Sequence, residues 1–292
     1  MMPEMPSDTT LLDGAVEPDF RTVALAGGTL VAHTCRAPDK QTENEDTVAA
    51  IPYGDDAAVL IVADGAGGLP AGRRASLTAV TELQRAVDEA QREDMLLRTA
   101  ILNGIEAANQ ALLDSGSGSA TTLTVMGITG HEARFYQIGD SEALIVGQRG
   151  RLRSQTMAHS PTGFAVEAGF LDKRAALHHE ERHLVSNFLG TPDMRVDMGS
   201  AVTLQSRDTI MLASDGLTDN VHLHEIIEII RKGPLETAVT TLVRLASRRM
   251  TAETLTQPSK PDDLSVILYR KPKKRAASRA SGPRERQPDR DA

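Results

Sequence analysis

Two short apolar runs, each ending in Asp-Gly, constrain the fold of this chain more than any other feature. Val59–Ala63 lead into Asp64, Ile210–Ser214 lead into Asp215, and a glycine follows each aspartate. Short runs rich in Val, Ile and Leu that stop at turn residues predict buried strands. A carboxylate at the end of a buried strand, beside backbone free to adopt unusual angles, is typical of an ion site. For either run alone, an ordinary Asp-Gly turn is the alternative.

Further acids stand at the ends of other predicted strands, far apart in the sequence. They are Glu45 and Asp46 before Thr47–Ile51, Asp140 after Phe135–Ile138, and Asp262 and Asp263 before Leu264–Leu268. A sheet could bring these acids to one edge, where they would repel one another unless cations neutralised them. Because carboxylate oxygens are ligands for hard cations and no Cys/His pattern indicates zinc, we predict a cluster of hard cations.

Composition narrows the class of protein further. The 292 residues are 40% hydrophobic and 25% charged, which is ordinary for a globular protein with a substantial core. We expect no membrane span, because no apolar run approaches the roughly 20 residues that a spanning helix needs. The N-terminal residues lack the features of a signal peptide, and the single cysteine, Cys35, is compatible with a reducing compartment. These observations predict a cytoplasmic protein.

Charge is distributed unevenly along the chain. The formal net charge is −8, yet the residues from Arg270 onward include nine Lys or Arg and only three acids. The body is therefore acidic, which argues against nucleic acid as a partner. We predict a flexible leader over residues 1–18, one domain over residues 19–270 and a basic disordered tail over residues 271–292.

The spacing of apolar residues predicts an α+β protein. Helical periodicity covers two pairs of neighbouring segments, and strand-like segments lie before, between and after them. The predicted helices are Ala71–Ala90, Met95–Leu113, His224–Arg231 and Pro234–Arg249, and the predicted strands include a hairpin of Thr22–Leu25 with Leu30–His33, then Thr121–Ile128, Ala133–Ile138, Ala143–Val146, Leu184–Leu189, Ala201–Leu204 and Leu264–Tyr269. We expect residues 151–182, called the flap below, to be irregular. This order indicates layers built on antiparallel sheets.

The acid-bearing motifs, taken in order, resemble those of the metal-dependent protein phosphatases of the PP2C (PPM) type, in their bacterial form. They are Asn44-Glu45-Asp46, Ala63-Asp64-Gly65-x-Gly67-Gly68, Gly139-Asp140-Ser141, Ala213-Ser214-Asp215-Gly216 and Asp262-Asp263-Leu264-Ser265. The resemblance extends over roughly residues 20–270. It implies a four-layer αββα sandwich, in which two antiparallel sheets are flanked by helices.

The resemblance also implies a site with two Mg²⁺ or Mn²⁺ ions and a third, weaker ion. By analogy with the family, four aspartates supply carboxylates, Gly65 supplies a backbone carbonyl, Glu45 binds through water and Asp140 belongs to the third ion. The four aspartates are Asp46, Asp64, Asp215 and Asp262. Asp64 and Asp215 are the implied catalytic residues, because the ions they hold would activate a water for in-line attack on phosphorus.

The function that the resemblance implies is hydrolysis of phosphoserine and phosphothreonine in protein substrates of a Ser/Thr kinase, by a monomer. Several positions depart from the family pattern. Gln41 stands where the family has a phosphate-binding Arg, Ala66 where a His often follows Asp-Gly, Glu142 where an Arg is usual and Asp263 where an Asn is usual. Lys40 and Gln41 are the remaining candidates for substrate binding, although a lysine is not equivalent to a bidentate arginine.

The departures leave other functions open. A catalytically weak regulatory or binding module would retain the metal site and use the cleft to recognise a partner. A small-molecule phosphohydrolase is a third alternative. If the chain is active, a histidine of the flap or just beyond it could replace the missing proton donor, although a structural or surface role is the simpler interpretation of each. These histidines are His159, His178, His179 and His183.

Overall fold

The computed structural model describes residues 9–14, 19–66, 72–252 and 257–272. The strands, in chain order, are β1 (Thr10–Asp13), β2 (Asp19–Leu25), β3 (Gly28–Cys35), β4 (Asp46–Tyr53), β5 (Ala57–Asp64), β6 (Leu123–Thr129), β7 (Glu132–Ile138), β8 (Glu142–Val146), β9 (Leu152–Gln155), β10 (Asp197–Met198), β11 (Val202–Thr203), β12 (Thr209–Ala213) and β13 (Leu264–Arg270). The helices are α1 (Gly72–Arg92), α2 (Leu97–Asp114), α3 (Pro161–Glu167), α4 (Lys173–Ala176), α5 (Asp215–Thr218), α6 (Leu223–Ile230) and α7 (Leu235–Thr251), and a 3₁₀ turn covers Glu180–His183.

The strands form two antiparallel sheets. The first sheet has the order β1-β4-β5-β6-β7-β10, and β11 also pairs with β7. The second sheet has the order β2-β3-β13-β12-β8-β9. Helices α1 and α2 pack on the outer face of the first sheet, and α6 and α7 pack on the outer face of the second. The predicted αββα sandwich is confirmed.

Strand β5 shows why its sequence is an unbroken apolar run. Val59 and Ile61 point toward α1 and α2 and are fully buried there. Leu60 and Val62 point the other way, into the core between the two sheets. Since successive side chains of a strand alternate between its faces, a strand covered on both faces is apolar at every position. Each of these buried side chains contributes roughly 1.5–3 kcal/mol by its transfer from water.

Three parts of the sequence-based prediction were wrong. Thr10–Asp13, assigned to a flexible leader, form the edge strand β1, which pairs with β4 and buries Leu12. Leu184–Leu189 are not a strand; within them, an isolated bridge joins Leu189 to Thr121. The flap is partly ordered, since it contains β9 and α3. A short strand depends on the partner it pairs with, which local periodicity does not reveal.

Three further predictions concern the chain ends, a membrane span and the first hairpin. Residues 1–8 and 15–18 of the predicted leader and 273–292 of the predicted tail lie outside the described residues. Among the helices that the structure describes, none combines the length and the apolar character that a membrane crossing requires. The predicted hairpin is confirmed as β2 and β3, which pair from Asp19 with Thr34 to Leu25 with Gly28.

The burial of His33 on β3 predicts that acid lowers the stability of the fold. Its side chain is fully buried against Phe20, at 4.2 Å between ring centroids, and neither ring nitrogen has a hydrogen-bond partner among the described residues. Burial lowers the pKa of His33 to about 4, against a smaller opposing effect of Asp19. The unfolded chain therefore binds a proton near pH 6.5 that the folded chain binds only near pH 4.

We expect protonation of His33 in the unfolded chain to lower the free energy of unfolding by about 2 kcal/mol as the pH falls from 7 to 5. Each unit of pKa difference is worth about 1.4 kcal/mol. Urea unfolding of the wild type and of His33→Leu at both pH values measures this cost. The wild type should lose about 2 kcal/mol more than the variant on acidification. His131→Gln, at an exposed position, is the control. An equal loss in the wild type and in His33→Leu would contradict the prediction.

Candidate metal centre

The strand register places two of the predicted ligands side by side on the first sheet. Asp46 is the first residue of β4 and Asp64 is the last residue of β5. The strands pair antiparallel, and their register sets Asp46 directly opposite Asp64. The start of one strand therefore lies beside the end of the other, and both carboxylates reach the same edge of the sheet.

The second sheet presents its acids at the facing edge. Asp215 follows β12 as the first residue of α5, and Asp262 and Asp263 precede β13. The two strands pair with Ala213 opposite Val266, which brings the acids of both strands together. Asp140 lies in the short connection from β7, on the first sheet, to β8, on the second. The topology thus gathers all the predicted acids where the two sheets meet.

Ser214 joins the two sheet edges directly. Its hydroxyl donates a hydrogen bond of 2.8 Å to Oδ2 of Asp46 and accepts one of 2.9 Å from the backbone N–H of Ser265. Asn44 holds the same aspartate from the other side, since its Oδ1 accepts a 2.9 Å hydrogen bond from the Asp46 N–H. Asp46 is therefore fixed by residues of both sheets and is fully buried.

Two glycines allow the close backbone approaches on which this arrangement depends. A Cβ atom at Gly65 would lie 2.3 Å from the carbonyl oxygen of Gly72, and a Cβ atom at Gly216 would lie 1.9 Å from that of Asp263. Both distances are far below van der Waals contact, so a larger residue would displace the neighbouring backbone. The Asp-Gly pairs therefore have a structural reason that is independent of turn formation.

Burial and mutual repulsion raise the pKa values of the clustered acids. Burial raises the pKa of Asp46 to about 8, and the charge of Asp263 adds to this rise. The pKa of Asp64 lies well above its usual value because of burial, and next because of the charge of Asp46. The pKa of Asp140 is raised by burial and by the charge of Asp215. The carboxylates of the cluster therefore repel one another, and positive charge placed among them relieves this repulsion.

The oxygens of the cluster fit divalent cations. Oδ1 of Asp46 and Oδ1 of Asp215 are buried and have no hydrogen-bond partner within the described residues. Buried, unpaired carboxylate oxygens are costly, and an all-oxygen set suits Mg²⁺ or Mn²⁺. Across the described ranges, no group of three or more His, Cys, Asp or Glu side chains is already arranged as a ligand set. The potential ligands therefore lie in one region, but the described side chains do not converge on a single ion position.

Two lysines neutralise part of the cluster. Lys40 Nζ lies 2.8 Å from Oε2 of Glu45 and 2.6 Å from Oδ2 of Asp263. Lys260 Nζ donates to Oδ2 of Asp215 and lies 3.1 Å from Oδ2 of Asp219 and 3.3 Å from Oδ2 of Asp262. Lys40 therefore pairs with the acids near Glu45, and Lys260 pairs with the acids near Asp215.

Sequence reasoning missed Lys260 and Asp219. Asp219 lies four residues after Asp215, a spacing that places two side chains on one face of a helical turn. Lys260 lies two residues before Asp262. Neither position belongs to the motifs that carried the resemblance, so the helical spacing was the available signal for Asp219, whereas Lys260 had none.

The residues at the positions that depart from the family pattern make local contacts. Gln41 is exposed and its side-chain amide donates to the carbonyl of Asp39 at 3.1 Å. Glu142 accepts a 2.9 Å hydrogen bond from Gln155. The backbone N–H of Ala66 donates to the carbonyl of Ala120 at 3.0 Å.

The candidate histidines differ in their surroundings. His159 is buried, and its Nδ1 lies 3.1 Å from the N–H of Gly139 and 2.8 Å from Nδ2 of Asn187. Because two donors face Nδ1, we assign the ring proton to Nε2, which lies 3.0 Å from Asp197. These contacts give His159 a structural role. His178 and His179 are exposed, and the side chain of His183 lies outside the described part of the structure.

A pocket of about 440 Å³ opens beside the acid cluster. Asp140, Asp215 and Asp219 form one end of it. The rest is formed mainly by the flap and by residues 218–227, and it exposes more apolar than polar surface. The apolar side chains in this part include Met157, Val166, Leu177, Leu223 and Ile226. The cluster therefore adjoins a space large enough for more than a phosphate group.

An αββα sandwich with a cluster of acids where its two sheets meet defines the class of metal-dependent phosphatases that the motifs resemble. This chain belongs to the protein phosphatase 2C family, whose profile matches residues 37–257.

Relatives and solved structures agree with this assignment. The protein phosphatase PhpP of Streptococcus pneumoniae is 33% identical over 217 residues, which are 71% of this chain and 87% of PhpP. The serine/threonine phosphatase of S. agalactiae has a TM-score of 0.69 at 25% identity and covers 87% of this chain and 99% of its own. PstP/Ppp of Mycobacterium tuberculosis has a TM-score of 0.66 at 25% identity, covering 84% and 98%.

Proposed function

We propose that this protein is a metal-dependent serine/threonine protein phosphatase that hydrolyses phosphoserine and phosphothreonine with two Mg²⁺ or Mn²⁺ ions. The observation that carries the proposal is the meeting of acids from both sheets, two of whose buried oxygens have no partner among the described residues. The family assignment and the names of the relatives, which are protein phosphatases, support the same activity.

The proposed ligands are those that the resemblance indicated. Gly65 would bind through its carbonyl, Glu45 through water, and Asp140 at a third ion. The carboxylate ligands of the first two ions would be Asp46, Asp64, Asp215 and Asp262. Divalent cations, when bound there, activate a water and neutralise the charge on phosphate oxygens.

The surrounding residues hold the proposed ligands in position. Thr121 and Thr122 fix the backbone of Asp64, whose carbonyl accepts 2.8 Å hydrogen bonds from Oγ1 of Thr121 and from the N–H of Thr122. Oγ1 of Thr122 also accepts from the N–H of Asp64 at 3.1 Å. Ligands held by such contacts reorganise little during the reaction.

Lys40 and Gln41 are the proposed substrate-binding residues. Lys40 already pairs with Glu45 and Asp263, so it would attract phosphate as a point charge and would not grip it as a bidentate arginine does. The exposed amide of Gln41 can donate one hydrogen bond in place of the arginine pair. We therefore expect weaker binding of free phosphate than a bidentate arginine would give.

The pocket beside the acids favours a peptide as substrate. Its apolar side chains suit those that flank a phosphorylated residue, and polar side chains among them, such as Gln155 and His222, can bind peptide groups. The comparison of peptide and small-molecule substrates described below distinguishes the proposal from a small-molecule phosphohydrolase. A Ser/Thr kinase as the source of the substrate, a cytoplasmic location, a monomeric state and a domain boundary near residue 270 stay predictions.

Hydrolysis of a phosphothreonine peptide tests the proposal. Release of phosphate is measured with Mn²⁺, with Mg²⁺ and with chelator, beside a sugar phosphate and a nucleoside monophosphate at equal concentration. We expect metal-dependent turnover and preference for the peptide. Binding of Mn²⁺ without turnover of any substrate would favour the regulatory module, to which the loss of the usual arginine and histidine points. Preference for the small phosphates would favour the small-molecule enzyme.

A further inference from the structure

The ammonium of Lys260 lies among residues that the proposed function assigns to the metals. It contacts Oδ2 of Asp215, lies 3.3 Å from Oδ2 of Asp262, and is 3.1 Å from Asp219 in the same cluster. Its side chain is 19% exposed. A positive charge in this position partly satisfies the acids that a divalent ion would otherwise neutralise.

The backbone around Lys260 aims its side chain into the cluster. Asn220, which is fully buried, accepts a 2.8 Å hydrogen bond from the N–H of Lys260 and donates one of 2.8 Å to its carbonyl. Arg182, at the edge of the flap, donates to the carbonyl of Ser259 at 2.7 Å. Asn220 also donates to the carbonyl of Gly216, beside Asp215. Lys260 is thus held from both of its peptide groups, unlike a solvated surface lysine.

We infer that Lys260 is a tethered cation that neutralises the cluster in the metal-free protein and withdraws when a divalent ion binds, so that it sets the metal affinity. This inference rests on the metal site of the proposed function. An ammonium and a divalent ion that share the oxygens of Asp215 and Asp262 repel each other strongly. The flexible four-carbon stem of lysine allows the ammonium to leave while the backbone stays in place.

The inference is tested by calorimetry. The full-length protein is depleted of metal, freed of chelator and then titrated with Mn²⁺ in the absence of phosphate. Lys260→Met keeps the length of the stem and removes the charge, Lys260→Arg keeps the charge, and Lys232→Met removes an exposed charge elsewhere. We expect Lys260→Met to bind Mn²⁺ at least about tenfold more tightly than the wild type. Its metal-free form should melt at a lower temperature, because its acids lose their counter-charge. Lys260→Arg and Lys232→Met should resemble the wild type.

Affinity of Lys260→Met that equals or falls below that of the wild type would overturn the inference. If this variant unfolds on chelation, its affinity is measured by competition between the metal-loaded protein and a chelator. If Mn²⁺ reverses the unfolding, this competition affinity decides, and it must exceed that of the wild type. Unfolding with Mn²⁺ present assigns Lys260 a purely structural role and overturns the inference. Failure of the wild type itself to bind Mn²⁺ would reject the metal site of the proposed function as well, which separates the two failures.

Discussion

Replacement of Asp215 by Asn is expected to lower phosphopeptide turnover about 10³-fold or more, because stabilisation by a bound metal is worth several kcal/mol and each 1.4 kcal/mol is tenfold in rate. Asp215 offers a buried Oδ1 with no hydrogen-bond partner among the described residues, while Lys260 contacts Oδ2. Asparagine removes the charge and replaces one acceptor by a donor. The measurement is the initial rate on a phosphothreonine peptide with saturating Mn²⁺.

Asp193→Asn is the matched control, because Asp193 is an exposed aspartate that lies outside the acid cluster. Its turnover should equal that of the wild type. Thermal unfolding of both variants shows whether a lost rate reflects a lost fold. Retention of more than about a tenth of the wild-type rate by a folded Asp215→Asn variant would reject the proposed role of Asp215, since a lost metal contact costs more than a factor of ten.

Removal of the metal should produce the largest change in stability. Mn²⁺ at about 1,000 times its dissociation constant adds about 4 kcal/mol to the free energy of unfolding. For a domain of this size, this corresponds to a rise in Tm of roughly 10 °C. The measurement is thermal unfolding with Mn²⁺ and with chelator, in low phosphate. Equal melting temperatures under the two conditions would contradict a metal site in the folded protein.

The metal effect should also depend on pH, and its sign follows from Asp46. In the metal-free fold, the pKa of this acid is raised to about 8 by burial and by Asp263, whereas an unfolded aspartate has a pKa near 3.8. A raised carboxyl pKa contributes stability at low pH that is lost as the pH rises toward 8. Bound Mn²⁺ favours the ionised form, and protons compete with it at low pH. We therefore expect a larger rise in Tm with Mn²⁺ at pH 8 than at pH 6.

Much of the architecture could be predicted from the sequence, because local patterns carry it. The run Val59–Ala63 is apolar at every position because both faces of β5 are covered, and its end at Asp64 indicated an edge with acids. The family resemblance then indicated which distant acids meet. The strand register sets two of these acids, Asp46 and Asp64, opposite each other, and their roles as ligands stay predictions.

The rest depends on contacts between distant segments that no local pattern records. Strand β1 owes its structure to pairing with β4, and Lys260 owes its position to Asn220 and to the acids around it. Lys40 stays a predicted substrate-binding residue, and its pairing with Glu45 and Asp263 became visible only in the structure. The charge of Lys40 follows from its residue type, but the acids that it pairs with could be identified only from the fold.

The last of the described strands, β13, is also a central strand of the second sheet, where it lies between β3 and β12. During synthesis, the early hairpin of β2 and β3 must therefore wait for this late strand before the sheet closes. Asp262 arrives with it, immediately before the segment that completes the sheet. A polypeptide that has not yet reached this strand would contain only some of the proposed metal ligands. On the proposed ligand set, a partial chain that stops before β13 lacks both a ligand and a central strand, so we expect it to be inactive toward phosphoproteins.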